Sequence, residues 1–255
     1  MHSSNLVEVE NLSYSFAVKR ATHASDQICS EGLSRVTALI VPRLRISQNE
    51  LIVVCGANGA GKSTFLSIMG GRKLVPAKTV LILGRECFND CTLSSSVCYL
   101  GDWWRTDFFL DTPVRDFLGP MTCEKDSCKE LVDILQVNLD WRISQLSDGQ
   151  RRRCQILAGL TASDGYKLYI LDEVTADLDI VVRERLLAWL KLQARRRACS
   201  TILATHIMDG INEWATRLIF MEHGSVKHDV PVNEDVPVYP MLRRWMIQSY
   251  GASDL

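Results

Sequence analysis

No apolar stretch in this sequence approaches the roughly 18 residues a membrane span requires. The longest runs, Val36–Val41 and Leu51–Cys55, are strand-length. No membrane segment is therefore expected. Charge of neither sign dominates: 29 Lys and Arg stand against 30 Asp and Glu, a formal net charge of −1. Non-specific nucleic-acid binding needs a dense basic surface, so that class is set aside. The nine cysteines contain no C-x-x-C pair and no Cys/His quartet at zinc spacing. Cys55 and Cys199 lie in or beside apolar runs, so buried free thiols in a reducing compartment are expected. That points to the cytoplasm and leaves the nucleus open. The first residues, MHSSNLVEVE, have neither the basic start nor the apolar core of a signal peptide. Internal repeats and low-complexity segments are missing as well. What is present is ordinary globular composition, 47% hydrophobic over 255 residues, suited to one large α/β domain.

Alternation over residues 6–16 predicts a strand. Residues 19–34 are polar and mixed and predict a surface loop. Val36–Val41 and Leu44–Ile46 predict two strands broken at Pro42. Leu51–Cys55 predicts a short buried strand, followed by a glycine-rich turn and a helix from about Lys62 to Gly70. Val80–Leu83 predicts another strand. Residues 86–145 have more helix formers and aromatics, which predicts a smaller, mostly helical subdomain over about 86–160 within a single domain of 1–255. Further on, helices are expected over 149–162 and 181–197, and strands over 168–171 and 200–205. Leu218–Glu222 and Ser225–Lys227 flank His223-Gly224 as a hairpin, and a short helix is expected around Met241–Gln248. Strands alternating with helices predict a mostly parallel sheet.

Three motifs carry chemistry. Gly56-Ala57-Asn58-Gly59-Ala60-Gly61-Lys62-Ser63-Thr64 matches G-x-x-x-x-G-K-[ST] between a strand and a helix. Glycines let the backbone curl so that successive N–H groups point inward at a phosphate, and the following helix adds its positive dipole end. Lys62 is expected to reach the β- and γ-phosphates of ATP, and the Ser63 hydroxyl to ligate Mg²⁺. Leu168–Leu171 then delivers Asp172 and Glu173 to a strand end. Asp172 suits the Mg²⁺ shell, and Glu173 suits a base that polarises the attacking water. The third motif is Leu146-Ser147-Asp148-Gly149-Gln150, followed by Arg151-Arg152-Arg153. The arginine run reads as a solvated helix face.

In this order (glycine loop, L-S-D-G-Q, acidic strand, downstream His206) the chain resembles the ATP-binding-cassette (ABC) ATPases, over roughly Val7 to Lys227. The resemblance implies a P-loop α/β fold with a mostly parallel core sheet, an antiparallel β edge and a small helical subdomain. It also implies ATP hydrolysis in a head-to-tail homodimer, in which Ser147, Gly149 and Gln150 of one copy meet the nucleotide held by the other. Phe16 would stack on adenine, with Tyr14 as the alternative; Asp179 would be the acidic residue of the D-loop; His206 would contact the γ-phosphate. Asp148 replaces a glycine of the family pattern, and Val174 stands where many relatives have proline. Asp102 falls where the family carries a glutamine that contacts Mg²⁺ and begins the loop facing a membrane partner. Asp102 could still ligate Mg²⁺, while coupling to a membrane subunit is placed in doubt. The run Tyr99-Leu100-Gly101 with Trp104, the L-S-D-G-Q-R-R-R segment, and Thr205-His206-Ile207-Met208-Asp209 with Trp214 resemble the small ABC ATPases related to the yeast CCR4-associated factor and the plant I subfamily. That implies a stand-alone ATPase acting on a regulatory protein complex. The alternative is the ATP subunit of a multi-chain transporter, with Trp103, Trp104, Phe108 and Phe109 lining a docking groove or packing the subdomain. A non-catalytic scaffold would need Glu173 or His206 damaged, and both are present.

Overall fold

Two sheets meet at the glycine loop of this computed structural model, which describes residues 5–19, 33–101, 111–233 and 237–251. The first sheet is antiparallel. β1 (Val7–Lys19) lies between β2 (Leu33–Ile46) and β4 (Val80–Ile82), and β5 (Arg85–Glu86) closes the order β2-β1-β4-β5. Here one expectation is corrected. Pro42 does not break β2, which runs through it with Arg43 paired to Glu10 and Val41 to Leu12. β2 is an edge strand of its sheet, and there a missing N–H costs no ladder bond.

The second sheet has the order β10-β9-β3-β8-β7-β6. β3 (Leu51–Cys55), β7 (Leu168–Asp172) and β8 (Ser200–Ala204) are buried along their whole length, as strands covered on both faces must be. β6 (Val97–Leu100) and β9 (Arg217–Glu222) extend the parallel array, and β10 (Ser225–Pro231) returns antiparallel across the expected hairpin. Alternate residues of each strand feed different cores. Val53, Tyr169, Leu171 and Leu203 join the helices at Asp126–Leu135, Asp148–Thr161, Ile180–Arg197 and Val238–Ser249, whereas Ile52, Val54, Ile170 and Ile202 join the helix at Lys62–Met69 and the antiparallel sheet. α1 (Lys62–Met69) buries Phe65, Leu66, Ile68 and Met69 completely. Each such side chain contributes about 2 kcal/mol of transfer free energy. That anchors the helix whose first turn follows the glycine loop.

Part of the expected 86–160 helical segment is strand: Val97–Leu100 pairs with Leu168–Leu171 inside the parallel sheet. Among the described residues the run of α-helices there opens with α2 (Val114–Leu118). It continues through α3 (Pro120–Cys123), α4 (Asp126–Leu135) and α5 (Asp148–Thr161). The strand was missed because four residues carry too short an alternation to register. Downstream, α6 (Ile180–Arg197), α7 (Ile211–Trp214) and α8 (Val238–Ser249) cover the sheet. α8 is longer than the Met241–Gln248 helix expected and stacks Trp245 on His228 of β10, ring centroids 4.2 Å apart. Residues 20–32, within the expected 19–34 loop, and Asp102, Trp103, Trp104, Phe108 and Phe109 lie outside the described residues. Cys55, Cys87, Cys98, Cys128, Cys154 and Cys199 are buried free thiols, as expected for Cys55 and Cys199.

Candidate functional site

Register decides where the chemistry collects. Val54 of β3 pairs with Ala204 of β8, and Ala204 pairs with Asp172 of β7. Three parallel strands thus end level, and the residues just past them share one crevice, the place where open α/β sheets bind ligands. Gly56 follows β3, Glu173 follows β7, and His206 lies two residues past the end of β8.

Gly56 has φ 149°, and a Cβ there would stand 2.1 Å from the Met221 carbonyl oxygen of β9. No side chain fits. Gly61 caps α1 with φ 97°, a conformation glycine adopts without penalty. It offers no side-chain cap, and the first turn of α1 holds no acidic residue. The first-turn N–H groups are therefore left for an anion. Lys62 Nζ bends over the loop and donates to the Gly56 and Ala57 carbonyls at 2.8 and 3.1 Å. The hairpin tip braces the loop: Gly224 N–H donates to Ala60 O, and Ile40 N–H to Gly224 O.

Around this loop lies a cavity of about 670 Å³. Asn58, Gly59, Ala60, Gly61, Lys62, Ser63 and Thr64 line it together with Phe16, Glu173 and His223. Phe16 is 38% exposed, and Tyr14 meets it edge-on at 5.1 Å while packing on the core. Of the two aromatic candidates, Phe16 is the one on the cavity wall. Lys73 Nζ stands 5.3 Å from the Phe16 ring centroid, within cation–π range. A second cavity of about 520 Å³ shares Ser63 and Thr64 and adds Asp172, Tyr99, Arg72 and Lys73.

Glu173 is the strained member. Its φ of 53° is left-handed, which costs a non-glycine residue about 1 kcal/mol. Such strain persists where surrounding bonds over-determine it. Glu173 N–H donates to Ala204 O at 3.0 Å, and its own carbonyl accepts from Arg152 Nη2 at 3.2 Å. The kink turns the carboxylate onto His206, with Oε2 2.9 Å from Nδ1. Asp172, one residue earlier, is 8% exposed.

The L-S-D-G-Q turn is built differently. Ser147 caps α5 in a full capping box: Gln150 N–H donates to Ser147 Oγ at 3.3 Å, and Ser147 N–H donates to Gln150 Oε1 at 3.0 Å. Asp148 points outward and pairs with Arg151 Nη1 at 2.9 Å. Ser147 is exposed and Gly149 half-buried, and neither is among the residues lining the two cavities. Asp179 is committed locally, its carboxylate accepting from Val182 N–H at 3.0 Å to cap α6.

The arginine run is not a solvated face, contrary to expectation. Arg152 is 1% exposed; Arg151 Nη2 reaches the Leu146 carbonyl; Arg153 reaches the carbonyls of Leu135 and Gln136 at the end of α4 and lies over Trp141. Burial lowers the Arg152 guanidinium from its usual value, against the opposing fields of Asp177 and Asp172. The signal was available: counting back from buried Ile156 and Leu160 in steps of four puts Arg152 on the inner stripe of α5. His223 was also missed as a cavity residue. Its hairpin was legible, but the tip's seat against the glycine loop is tertiary.

Comparison with known proteins agrees with this geometry. The family model described as ABC transporter matches residues 41–176. The chain is 34% identical over 203 residues to ABC transporter I family member 20 of Arabidopsis thaliana, covering 75% of this chain and 61% of that protein, so the match spans about three fifths of that relative. It is 32% identical over 254 residues to CCR4-associated factor 16 of Saccharomyces cerevisiae, covering 92% of this chain and 82% of that protein. A solved nucleotide-free ATP-binding cassette from an ABC transporter superposes with TM-score 0.71 at 14% identity, covering 96% of this chain and 98% of the other, which speaks to the fold.

Proposed function

Since the chain belongs to the ABC transporter family, as an ATP-binding cassette ATPase, we propose that it acts as a stand-alone ATPase in which two copies close head to tail over ATP. The observation that supports this most directly is the division of the site within one chain. Lys62, Phe16 and Glu173 line one cavity, while Ser147, Gly149 and Gln150 sit at a helix start outside its lining. A second copy would bring that helix start, with its positive dipole end, to the γ-phosphate.

In this reading Gly56 to Thr64 cradle the phosphates, Lys62 leaves the loop carbonyls for the β- and γ-phosphate oxygens, and Phe16 stacks on adenine. Ser63 and Asp172 line one cavity, and hydroxyl and carboxylate oxygens are the donors Mg²⁺ accepts, so these residues fit that ion. Asp102 would join them. Held there, Mg²⁺ would offset the negative charge of the phosphates. Glu173 orients the attacking water and takes its proton, and His206 is held by Glu173 for contact with the γ-phosphate. Asp179 serves by fixing the start of α6 next to the dimer face.

Among the described residues no helix is long and apolar enough to cross a membrane. A cytoplasmic ATPase that times a regulatory protein complex is the reading we favour, in line with the name of the yeast relative. The competing reading, a subunit serving a separate membrane chain, is in line with the name of the plant relative. Affinity purification with Glu173→Gln, which traps the ATP-bound dimer, separates the two. A soluble complex is expected, and stoichiometric recovery of an integral membrane protein overturns the stand-alone reading. Light scattering of the pure variant tests the dimer: a monomer with saturating ATP would remove the shared site.

A further inference from the structure

Buried arginines are rare because taking a charge out of water costs several kcal/mol unless it is bonded and compensated. Arg152 is 1% exposed at the start of the second turn of α5. Its two terminal nitrogens are divided between elements. Nη1 donates to Gln155 Oε1 of its own helix at 3.0 Å, and Nη2 donates across the gap to the Glu173 carbonyl at 3.2 Å. Asp172 and Asp177, on either side of Glu173 in sequence, supply the opposing charge. The guanidinium thus joins the L-S-D-G-Q helix to the acidic strand end at Glu173, whose backbone is left-handed.

That placement matters because the left-handed kink at Glu173 is held from both sides of its main chain. The N–H bond to Ala204 fixes the strand side, and the Arg152 bond to the carbonyl fixes the side on which the chain leaves, while the carboxylate meets His206. A planar fork fixes a carbonyl direction better than a rotating ammonium. We propose that Arg152 is a positioning residue that locks the main chain of Glu173 to α5, so that the helix whose start meets a partner's nucleotide also aims the base of its own chain. This inference rests on the reading of Glu173 as the residue that orients water.

The experiment compares full-length wild type, Arg152→Met, Arg152→Lys, Gln155→Met and Glu173→Gln. It measures ATP turnover, binding of the non-hydrolysable analogue AMP-PNP, and the thermal midpoint. Arg152→Met fills the volume without the charge, and is expected to lose turnover by tenfold or more while AMP-PNP affinity stays within threefold. Arg152→Lys should recover part of that turnover. Gln155→Met keeps the charge but removes the Gln155 acceptor of Nη1, and should lower kcat by about threefold with KM unmoved, which keeps the test decisive if Arg152→Met is insoluble. Turnover within twofold of wild type in both Arg152→Met and Gln155→Met overturns the proposal. So does a fall in AMP-PNP affinity or thermal midpoint that accounts for the lost turnover, as does an Arg152→Lys variant no more active than Arg152→Met. Glu173→Gln reports separately: if it hydrolyses ATP normally, the base assignment has failed, whereas loss there with normal Arg152 variants places the failure in the positioning role alone.

Discussion

Two helices in this protein begin beside a glycine of a family motif, and they are finished in opposite ways. α1 starts at Gly61 with no side-chain cap and no acid in its first turn. α5 starts at Ser147 with a closed capping box and Asp148 in its first turn. The first leaves its N–H groups unspent and faces a lysine; the second has satisfied its own and carries a carboxylate aimed outward at Arg151. A helix start that serves anions in its own chain must be left open, because a cap would compete for the same donors. Under the head-to-tail dimer proposed above, the α5 start would stay closed until a partner's nucleotide arrives, with Ser147 and Gln150 then exchanging each other for the phosphate.

The comparison breaks most sharply at Lys62. Lys62→Ala removes a charge-assisted contact and should lower ATP affinity about a hundredfold. Equilibrium binding of a fluorescent ATP analogue measures it, and unchanged affinity would mean that the open helix start is not the primary phosphate site. Glu173→Gln comes next: turnover should drop by about 10²- to 10⁴-fold with ATP still bound, read by phosphate release beside the binding assay. Ser147→Ala removes the cap of the closed helix. About 1 kcal/mol of stability should be lost in urea titration, together with the ATP-dependent dimer, while nucleotide affinity of the monomer stays put. If monomer affinity falls as well, the two helix starts act on the same nucleotide in one chain, and the contrast between them is wrong. Asp148→Gly breaks only an exposed i,i+3 pair, for which about 0.3 kcal/mol is expected. Dimerisation should then equal or exceed that of the wild type, because negative charge leaves the phosphate-facing turn.

A further effect concerns alkaline pH. Cys55 closes the strand beneath the glycine loop, and burial, partly offset by nearby Lys62, pushes its thiol up from 9.0 to about 12. Cys154 in α5 is pushed up to about 11 by burial, offset by Arg153. Unfolded thiols give up their protons first, so the folded state binds more protons between these values. Stability should be intact below about pH 9 and fall progressively as pH rises towards 11 and 12. Urea midpoints at pH 8, 9 and 10 check the sign; a midpoint that rises with pH contradicts it.

Much of the site was legible because its motifs are local. A glycine loop needs a strand before it and a helix after it, and six residues of spacing reveal all three. The apolar runs at Leu51–Cys55 and Leu168–Leu171 announced doubly covered strands for the same reason. Where the reading slipped, contacts distant in sequence had decided the outcome. Pro42 is harmless only because β2 lies at an edge, and Val97–Leu100 becomes a strand only because Leu168–Leu171 is there to pair with it. Arg152 looked solvated in a run of three charges; its four-residue spacing from Ile156 and Leu160 put it on the inner stripe, and the packing of α5 under the sheet is what buries that stripe.

The sequence by itself determined which groups are available: a phosphate loop, two carboxylates at a strand end, a histidine after the next strand, and a signature turn. Backbone dihedral preferences and hydrophobic runs act over a few residues, so they can be read without a partner. Tertiary structure alone decided that three strands end level and bring Gly56, Glu173 and His206 into one crevice. It also decided that Arg152 reaches the Glu173 carbonyl and that the Ser147 turn lies outside the cavity lining. Those are distances between residues far apart in the chain, set by sheet register and helix packing, and no local preference encodes them.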